Sequence, residues 1–563
     1  MHTRKRINPF GKLRTKYIFV SGGVISGIGK GITAASIALL LKSRGYKVAP
    51  IKFEGYLNID AGTINPIEHG DPFLCEDGTE ADMDLGSYEK FLGEDMGRDN
   101  FVTMGQVYQR IIEKERRFEY KGEDVEAIHI SSEIIGRIKN AATKKDADIV
   151  VIELGGTAGE YWNVFFYEAS RILSLQNPGD VIHVHVSYLP TPSHLGEPKT
   201  KPTQLSVRTL NSLGIQPDFI VARSEKYLDQ RRRDRFALFC NMLPSDIISN
   251  PDVNNIYEVP LVLYNQELDK KILQKLGLRA KSANLNAWKK FVENVNEKNK
   301  KEIEIAIVGK YFGTGDYQLR DSYAALFDAI DHASWKLNAK VKTKWIDAEK
   351  VESAAALKEI IGKPHGIIVP IGWGVRGAEG MIQTASYARK NKIPYLGLCY
   401  GMQLAAIAFA RDILGWTDAN TIENNPKTKH PVISMIEKQK ALMKKRAYGG
   451  TMRLGGWRAI VKKDTMAYEF YDKYNAFIDK NKCLTSERHR HRYEFNSKFA
   501  KDFEKNGFVI SARSIDGNLV EIIELPRDQH PFYLGTQGHP EYKSAPLRPH
   551  PLFLGFVEAC LKA

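Results

Sequence analysis

The sequence has no run of 18 or more apolar residues, which excludes a membrane-spanning helix. It is poor in cysteine. Cys75, Cys240, Cys399, Cys483 and Cys560 are odd in number, far apart and free of CxxC pairs, so neither a disulfide framework nor a structural zinc site is expected. Internal repeats and low-complexity tracts are absent as well, which removes the solenoid and repeat-array classes. The net charge is +14. Lysines and arginines are spread along the chain, as on a solvated basic surface, and nucleotide phosphates are sufficient partners without a nucleic-acid groove. The stretch MHTRKRINPFGKLRTK is basic and lacks a secretory apolar core, so residues 1–16 are expected to form a disordered or surface arm of a cytoplasmic protein.

What is present points to an α/β protein of several domains. At 563 residues the chain is long enough for about two to four of them. Apolar runs recur as YIFV at 17, VAPI at 48, DIVVIE at 148, VIHVHV at 181 and DFIVARS at 218, separated by helix-compatible segments. Continuous rather than alternating apolar strands joined by helical crossovers predict a parallel sheet covered on both faces, here over 17–277. The charged, helix-compatible stretch 278–302 reads as a linker. A second α/β series, expected over 303–563, begins with IEIAIVG at 303 and continues through GIIVP at 366, PYLGLC at 394 and PFYLGTQGH at 531.

The first half opens on TKYIFVSGGVISGIGKGITAAS, an apolar strand, a glycine-rich turn and a small-residue helix. Gly22, Gly23, Gly27, Gly29 and Gly31 let successive backbone N–H groups converge on an anion at the helix N-terminus, and Lys30 adds a point charge. The pattern departs from GxxxxGK[ST], with Val24 where glycine is usual and Gly31 where Ser or Thr is usual. Further on, Glu76, Asp77, Glu80, Asp82 and Asp84 cluster in EHGDPFLCEDGTEADMDLG, either as a magnesium site or as a solvated acidic loop. Glu153 ends the strand DIVVIE, where parallel sheets place their ligands. GEPKTKPTQ sets Lys199 and Lys201 beside Thr200, Thr203 and Gln204, either a grip for a phosphorylated ligand or a basic turn.

In the second half PYLGLCYGMQLAAIAFA puts Cys399 between an apolar strand and a helix, with Gly397 and Gly401 flanking it. That is the pattern of a nucleophile elbow: the turn presents the sulfur, and the helix N-terminus favours negative charge and offers N–H groups to an oxyanion. GTQGHPEY supplies His539 as general base and Glu541 as its orienting carboxylate. Gly372, in PIGWGVRG, can give a backbone N–H to the oxyanion.

These motifs, with EDGTEADMDLGSYEKF, VIELGGTAG, GIQPDFIVARS, RGAEGMI, GGTMRLG and ERHRHRYE in the same order, make the chain resemble the CTP synthase family over nearly its whole length. The resemblance implies a P-loop-type synthetase domain followed by a class I glutamine amidotransferase domain. It implies that ATP, UTP and glutamine give CTP, ADP, phosphate and glutamate, with magnesium as cofactor, GTP as activator, CTP as feedback inhibitor and a homotetrameric assembly. By the same likeness Ser26, Gly27, Ile28, Gly29, Lys30, Gly31 and Ile32 bind ATP phosphates. Ser26, Lys199, Thr200, Lys201, Pro202, Thr203, Gln204 and Arg235 bind UTP or CTP, and Asp84 and Glu153 hold magnesium. Gly372, Tyr400, Gly401, Met402, Gln403, Glu423 and Arg492 bind glutamine, and 449–455 resembles the lid coupled to GTP. Departures from the family pattern fall at GEYWN (159–163), where a carboxylate has become Trp162, at KFEGYLN, with Glu54 and Gly55, and at Ile371. A paralogue acting on a different nucleotide or carbonyl substrate and a non-catalytic filament or scaffold homologue are the alternatives. The latter has no need of Cys399, His539, Glu541, Lys30, Asp84 and Glu153 together.

Overall fold

The computed structural model describes residues 15–65, 70–314, 317–318, 320–351, 353–437, 439 and 449–563. The basic arm expected over 1–16 lies outside the described residues as far as residue 14. The chain forms two compact units, the first made of residues up to 59 with 87–292, the second of 60–86 with 293–563. Residues 60–86, expected within the first domain, therefore belong to the second unit. The helix-compatible 278–302 stretch is helical in part. It contains the helix Asn286–Val295, whose Trp288 packs against Tyr257 and Phe91 of the first unit. Among the described residues no helix is long and apolar enough to cross a membrane.

The first unit is built on a seven-stranded parallel sheet. Its spatial order is Phe101–Thr103, Val48–Glu54, Ile149–Leu154, Lys16–Gly23, Val181–Tyr188, Phe219–Ser224 and Ile247–Pro251. Lys16–Gly23 lies at the centre, and apart from Lys16 at its edge every residue of it is buried. Burial on both faces is why these strands read as unbroken apolar runs. The outer strands Phe101–Thr103 and Ile247–Pro251 are short and carry Thr103, Ser249 and Asn250, so they give little apolar signal in the sequence.

The second unit carries a nine-stranded sheet. Ala339–Asp347, Lys301–Gly309, Gly366–Val369, Tyr395–Leu398 and Tyr533–Thr536 are parallel, and Val520–Glu524, Val509–Ser514, Arg453–Val461 and Leu484–His491 extend it antiparallel. Alternate side chains serve two cores: Ile367 and Val369 face one with Met402 and Ala405, while Ile368, Leu396 and Leu398 face the other with Phe556. The strand Leu484–His491 is as buried as the apolar ones although its sequence is LTSERHRH. Its arginines are matched by acids: Arg488 Nε lies 3.2 Å from Glu76 and Arg490 Nε 2.6 Å from Glu80. Buried charge is tolerable only when paired in this way.

Candidate functional site

In the second unit, strand Tyr395–Leu398 and helix Tyr400–Asp412 are separated by one residue, Cys399, and only a left-handed backbone turns the chain that sharply. Cys399 has φ 50° and ψ −97°, a conformation that costs about 1–3 kcal/mol in a non-glycine residue. Its N–H donates to the Thr536 carbonyl at 2.7 Å, which ties the elbow to the neighbouring strand. Strand and helix approach so closely that a Cβ on Gly401 would lie 1.9 Å from the Val369 carbonyl oxygen. Gly401→Ala is therefore expected to destabilise this unit by about 2–3 kcal/mol, read as a lowered unfolding midpoint together with lost thiol activity.

His539 and Glu541 flank the elbow from the turn after strand Tyr533–Thr536. His539 Nδ1 lies 2.7 Å from Glu541 Oε1, and both side chains are buried. Among the described residues Nε2 has no oxygen or nitrogen partner, which leaves it to the sulfur. Burial alone would lower the pKa of His539, but the charges of Glu541 and Cys399 outweigh it and hold the imidazolium well above the ordinary histidine range. Gln537 Nε2 approaches Cys399 Sγ at 3.4 Å and its Oε1 accepts from Gln403 Nε2 at 3.1 Å.

The residues that the resemblance assigns to glutamine fall into two groups. Gly372 is constrained by its neighbours, since a Cβ there would stand 2.7 Å from Lys310 and 3.0 Å from Tyr400. Beside it Glu423 Oε1 accepts from Gly374 N at 2.9 Å, and Tyr400 OH donates to Gly374 O at 2.8 Å. Burial raises the Glu423 carboxyl pKa, while the Gly374 N–H and the Lys310 charge oppose that rise. Met402 is fully buried against Gly535. Arg492 donates to Gln439 Oε1 at 2.5 Å and Thr451 Oγ1 at 3.0 Å, which joins it to the 449–455 stretch. Lys310, missed in the sequence, donates to the carbonyls of Trp373 and Gly374 and lies 5.0 Å above the Tyr400 ring. Burial pushes its ammonium down to about 8. Its only sequence signal is its position at the C-terminal end of a parallel strand.

In the first unit the glycine-rich turn before the helix is left-handed at three positions. Val24, Gly27 and Gly29 have φ 82°, 71° and 84°. Gly29 precedes the helix Lys30–Ser43, which has no side-chain cap and no acid in its first turn, so its N-terminal N–H groups are available to an anion. The Lys30 side chain crosses Gly22, where a Cβ would stand 2.5 Å from Lys30 Cδ. Ser26 and Gly27 are exposed, while Ile28 and Gly31 are buried. His185 bridges Ser21 and Ser206 at 2.9 and 2.8 Å, and burial together with the Lys30 charge pushes it down to about 3, so it is a neutral wall of the cradle.

Lys199, Thr200, Lys201, Gln204 and Arg235 converge on a cavity of 530 Å³, joined by Arg208, Arg231 and Arg232, which sequence reading did not single out. Pro202 and Thr203 do not line it. Pro202 begins the helix Lys201–Ser212, and the Thr203 hydroxyl is buried and accepts from Ser187 at 2.9 Å. Six cations against the single acid Glu197 give the cavity a strongly positive field. A second cavity, of 400 Å³, brings two of the three departures from the family pattern together, with Glu54, Gly55, Trp162 and Asn163 on its wall. A Cβ on Gly55 would lie 2.4 Å from Asn163 Oδ1, so the bare backbone at 55 makes room for the bulkier 162–163 pair.

The acidic cluster divides. Glu76 and Glu80 are ion-paired with Arg488 and Arg490 of the second unit rather than gathered round a metal, and among the described residues no group of three or more His, Cys, Asp or Glu side chains is arranged to hold one. Asp84 stands in the first turn of helix Met83–Leu92, one turn before Tyr88. Tyr88 OH donates to Glu153 Oε2 at 2.7 Å, and Lys52 Nζ lies 2.7 Å from Glu153 Oε1. One or two carboxylates completed by phosphate oxygens and water are the donor set that Mg²⁺ prefers.

A strained cysteine at a strand–helix elbow, with a paired histidine and glutamate, defines a class I type glutaminase unit, here in one chain with a parallel-sheet unit that carries a phosphate cradle. Family comparisons agree: the CTP synthase N-terminus family matches residues 16–278 and the class I glutamine amidotransferase family residues 318–559. The chain belongs to the CTP synthase family. It is 46% identical to the CTP synthase of Sulfurisphaera tokodaii over 97% of this chain and 99% of that one. It is 46% identical to that of Pyrococcus furiosus over 97% and 98%, and 44% identical to that of Thermus thermophilus over 97% and 97%. A solved glutaminase domain from Trypanosoma brucei is 33% identical, covering 46% of this chain and 94% of that chain, with a TM-score of 0.41.

Proposed function

We propose that the protein is a glutamine-hydrolysing CTP synthase that aminates UTP at the expense of ATP through the following residues. At the glutaminase centre Cys399 attacks the glutamine amide, His539 takes the thiol proton and returns it to the departing ammonia, and Glu541 holds the imidazole in position. Gly372 and the N-terminus of the elbow helix face the developing oxyanion. Tyr400, Gly401, Met402 and Gln403 shape the pocket, with Glu423 suited to the amino end of glutamine and Arg492 to its carboxylate. At the synthetase centre residues 26–32 hold the ATP phosphates, Lys30 neutralises charge on the transferred group, and the basic cavity takes the triphosphate of UTP or CTP. Phosphorylation of the uracil 4-oxygen makes it a leaving group for ammonia. Asp84 and Glu153 would hold magnesium, which when bound would supply charge neutralisation at the phosphates.

The observation that carries this reading is the coexistence, in one chain, of the Cys399–His539–Glu541 constellation and the Lys30 cradle with its basic cavity. The resemblance further supports GTP activation through 449–455, CTP feedback, a homotetramer and a cytoplasmic location. The test is the rise in absorbance of CTP over UTP with ATP and magnesium, comparing glutamine with ammonium chloride. Turnover with both nitrogen sources is expected, and turnover with neither would overturn the proposal. Arg235→Ala is expected to raise KM for UTP about tenfold or more while basal glutamine hydrolysis is unchanged, since one charge-assisted phosphate contact contributes about 1.5–3 kcal/mol. An unchanged KM would separate the basic cavity from UTP.

A further inference from the structure

Residues 60–86 are bound into the glutaminase unit by more than the two arginine pairs. Gly456 N donates to the Glu76 carbonyl at 2.8 Å, and Arg488 Nη1 to the Leu74 carbonyl at 2.9 Å. One end of this segment reaches the triad. The Tyr542 ring stacks on His539 with centroids 5.3 Å apart and planes at 28°. Its hydroxyl lies 2.8 Å from Asp71 Oδ2 and 3.1 Å from the Pro72 carbonyl oxygen. Asp71 Oδ1 is 3.5 Å from Arg490 Nη1, and Arg490 is itself held by Glu80 and by the Gly62 carbonyl at 3.2 Å. Phe73 packs edge-on against the same tyrosine, with centroids 5.4 Å apart.

We infer that Asp71 and Tyr542 are positioning residues of the glutaminase centre: the Asp71 carboxylate, through the Tyr542 hydroxyl, fixes the ring against which His539 lies and so aims Nε2 at Cys399. The bond from His539 Nδ1 to Glu541 restrains the imidazole at one point and leaves it free to tilt about that bond. A stacked ring removes the tilt, provided that the ring itself cannot move. Glu541 and Tyr542 share the short turn Pro540–Lys543, so that turn alone gives no independent anchor. The Asp71 carboxylate does, because it comes from a different part of the chain and is itself fixed through Arg490. Loss of the hydroxyl contact leaves every reacting group in place and changes only how tightly the base is aimed.

The inference rests on the assignment of Cys399, His539 and Glu541 as the glutaminase triad. Steady-state glutamine hydrolysis and ammonia-dependent CTP formation are to be measured for the full-length wild type, Tyr542→Phe, Asp71→Asn and the double variant. Tyr542→Phe keeps the ring and is expected to lower kcat for glutamine hydrolysis about tenfold, with KM for glutamine and the ammonia-dependent rate within about twofold of wild type. Asp71→Asn is expected to act in the same sense, and the double variant to be no worse than the poorer single one, because both remove one interaction. An unchanged kcat in Tyr542→Phe overturns the inference, as does an equal loss with ammonia or a fully additive double variant. A wild-type chain that makes CTP from ammonia but never hydrolyses glutamine would overturn the triad assignment and the inference with it.

Discussion

Cys399→Ala is expected to abolish glutamine-dependent CTP formation, by about 10⁴-fold or more, and to leave formation from ammonia within about twofold of wild type. Sulfur is the only atom removed, and it is used only to release ammonia. The backbone of the elbow is fixed by other contacts: the Cys399 N–H on Thr536, and the close packing of Gly397 on Gly401 and of Gly401 on Val369. Alanine still has to adopt φ 50°, so the strain persists and the fold should not relax. A second signature accompanies the loss. The His539 imidazolium is held up by Glu541 and by Cys399, so removal of the sulfur leaves Glu541 alone against burial and lowers the pKa of His539. The stability contributed by that raised pKa is present below the unfolded-state histidine pKa and is lost as pH rises through the folded value. The variant should therefore lose its share at a lower pH than wild type. Rates with the two nitrogen sources and an NMR titration of His539 check both outcomes. Loss of ammonia-dependent synthesis in a folded variant would refute separate centres for release and use of ammonia.

The elbow was legible in the sequence because its geometry demands particular residues at particular places. Gly397, Cys399 and Gly401 at alternate positions leave few other readings for a strand meeting a helix. The central strands of both sheets were legible for a similar reason, since burial on two faces forces continuous apolar runs. Leu484–His491 was not, because its burial depends on acids some 410 residues earlier in the chain, at Glu76 and Glu80. Read locally, LTSERHRH is a solvated segment; only the arrival of residues 60–86 makes it a core strand. The same long-range pairing explains why those acids read as a possible metal cluster. Their number was visible and their partners were not. Arg208, Arg231 and Arg232 were missed because a basic cavity is made by two helices facing each other, and neither helix alone carries more than an ordinary basic face. Lys310 shows the same limit on a smaller scale: a lysine after a strand is commonplace until the Trp373 and Gly374 carbonyls close over it.

Lys30→Ala has the opposite profile to Cys399→Ala. Synthesis from glutamine and from ammonia should both fall by about 10³-fold, while basal hydrolysis of glutamine continues. The substitution is mild for the fold. Position 30 begins the helix Lys30–Ser43, alanine is a better helix former than lysine, and the left-handed Gly29 that sets the helix start is untouched. What changes is electrostatic. Lys30 is 8% exposed, so its charge acts across a medium that screens it far less than water does, and His185 already registers that charge in its depressed pKa. The N–H groups of the helix terminus remain to bind phosphate, so ATP should still bind, more weakly. The charge that develops on the group in transfer loses its nearest fixed cation, and kcat should fall further than affinity. Lys30→Arg is expected to recover little, because a planar guanidinium cannot follow the path across Gly22 that the lysine stem takes, where Lys30 Cδ leaves no room even for a methyl group. Release of His185 supplies an independent readout. Its pKa should rise in Lys30→Ala whether or not substrate binds, which distinguishes removal of the charge from a collapse of the cradle. Retained ammonia-dependent turnover in Lys30→Ala would remove the lysine from the phosphate site.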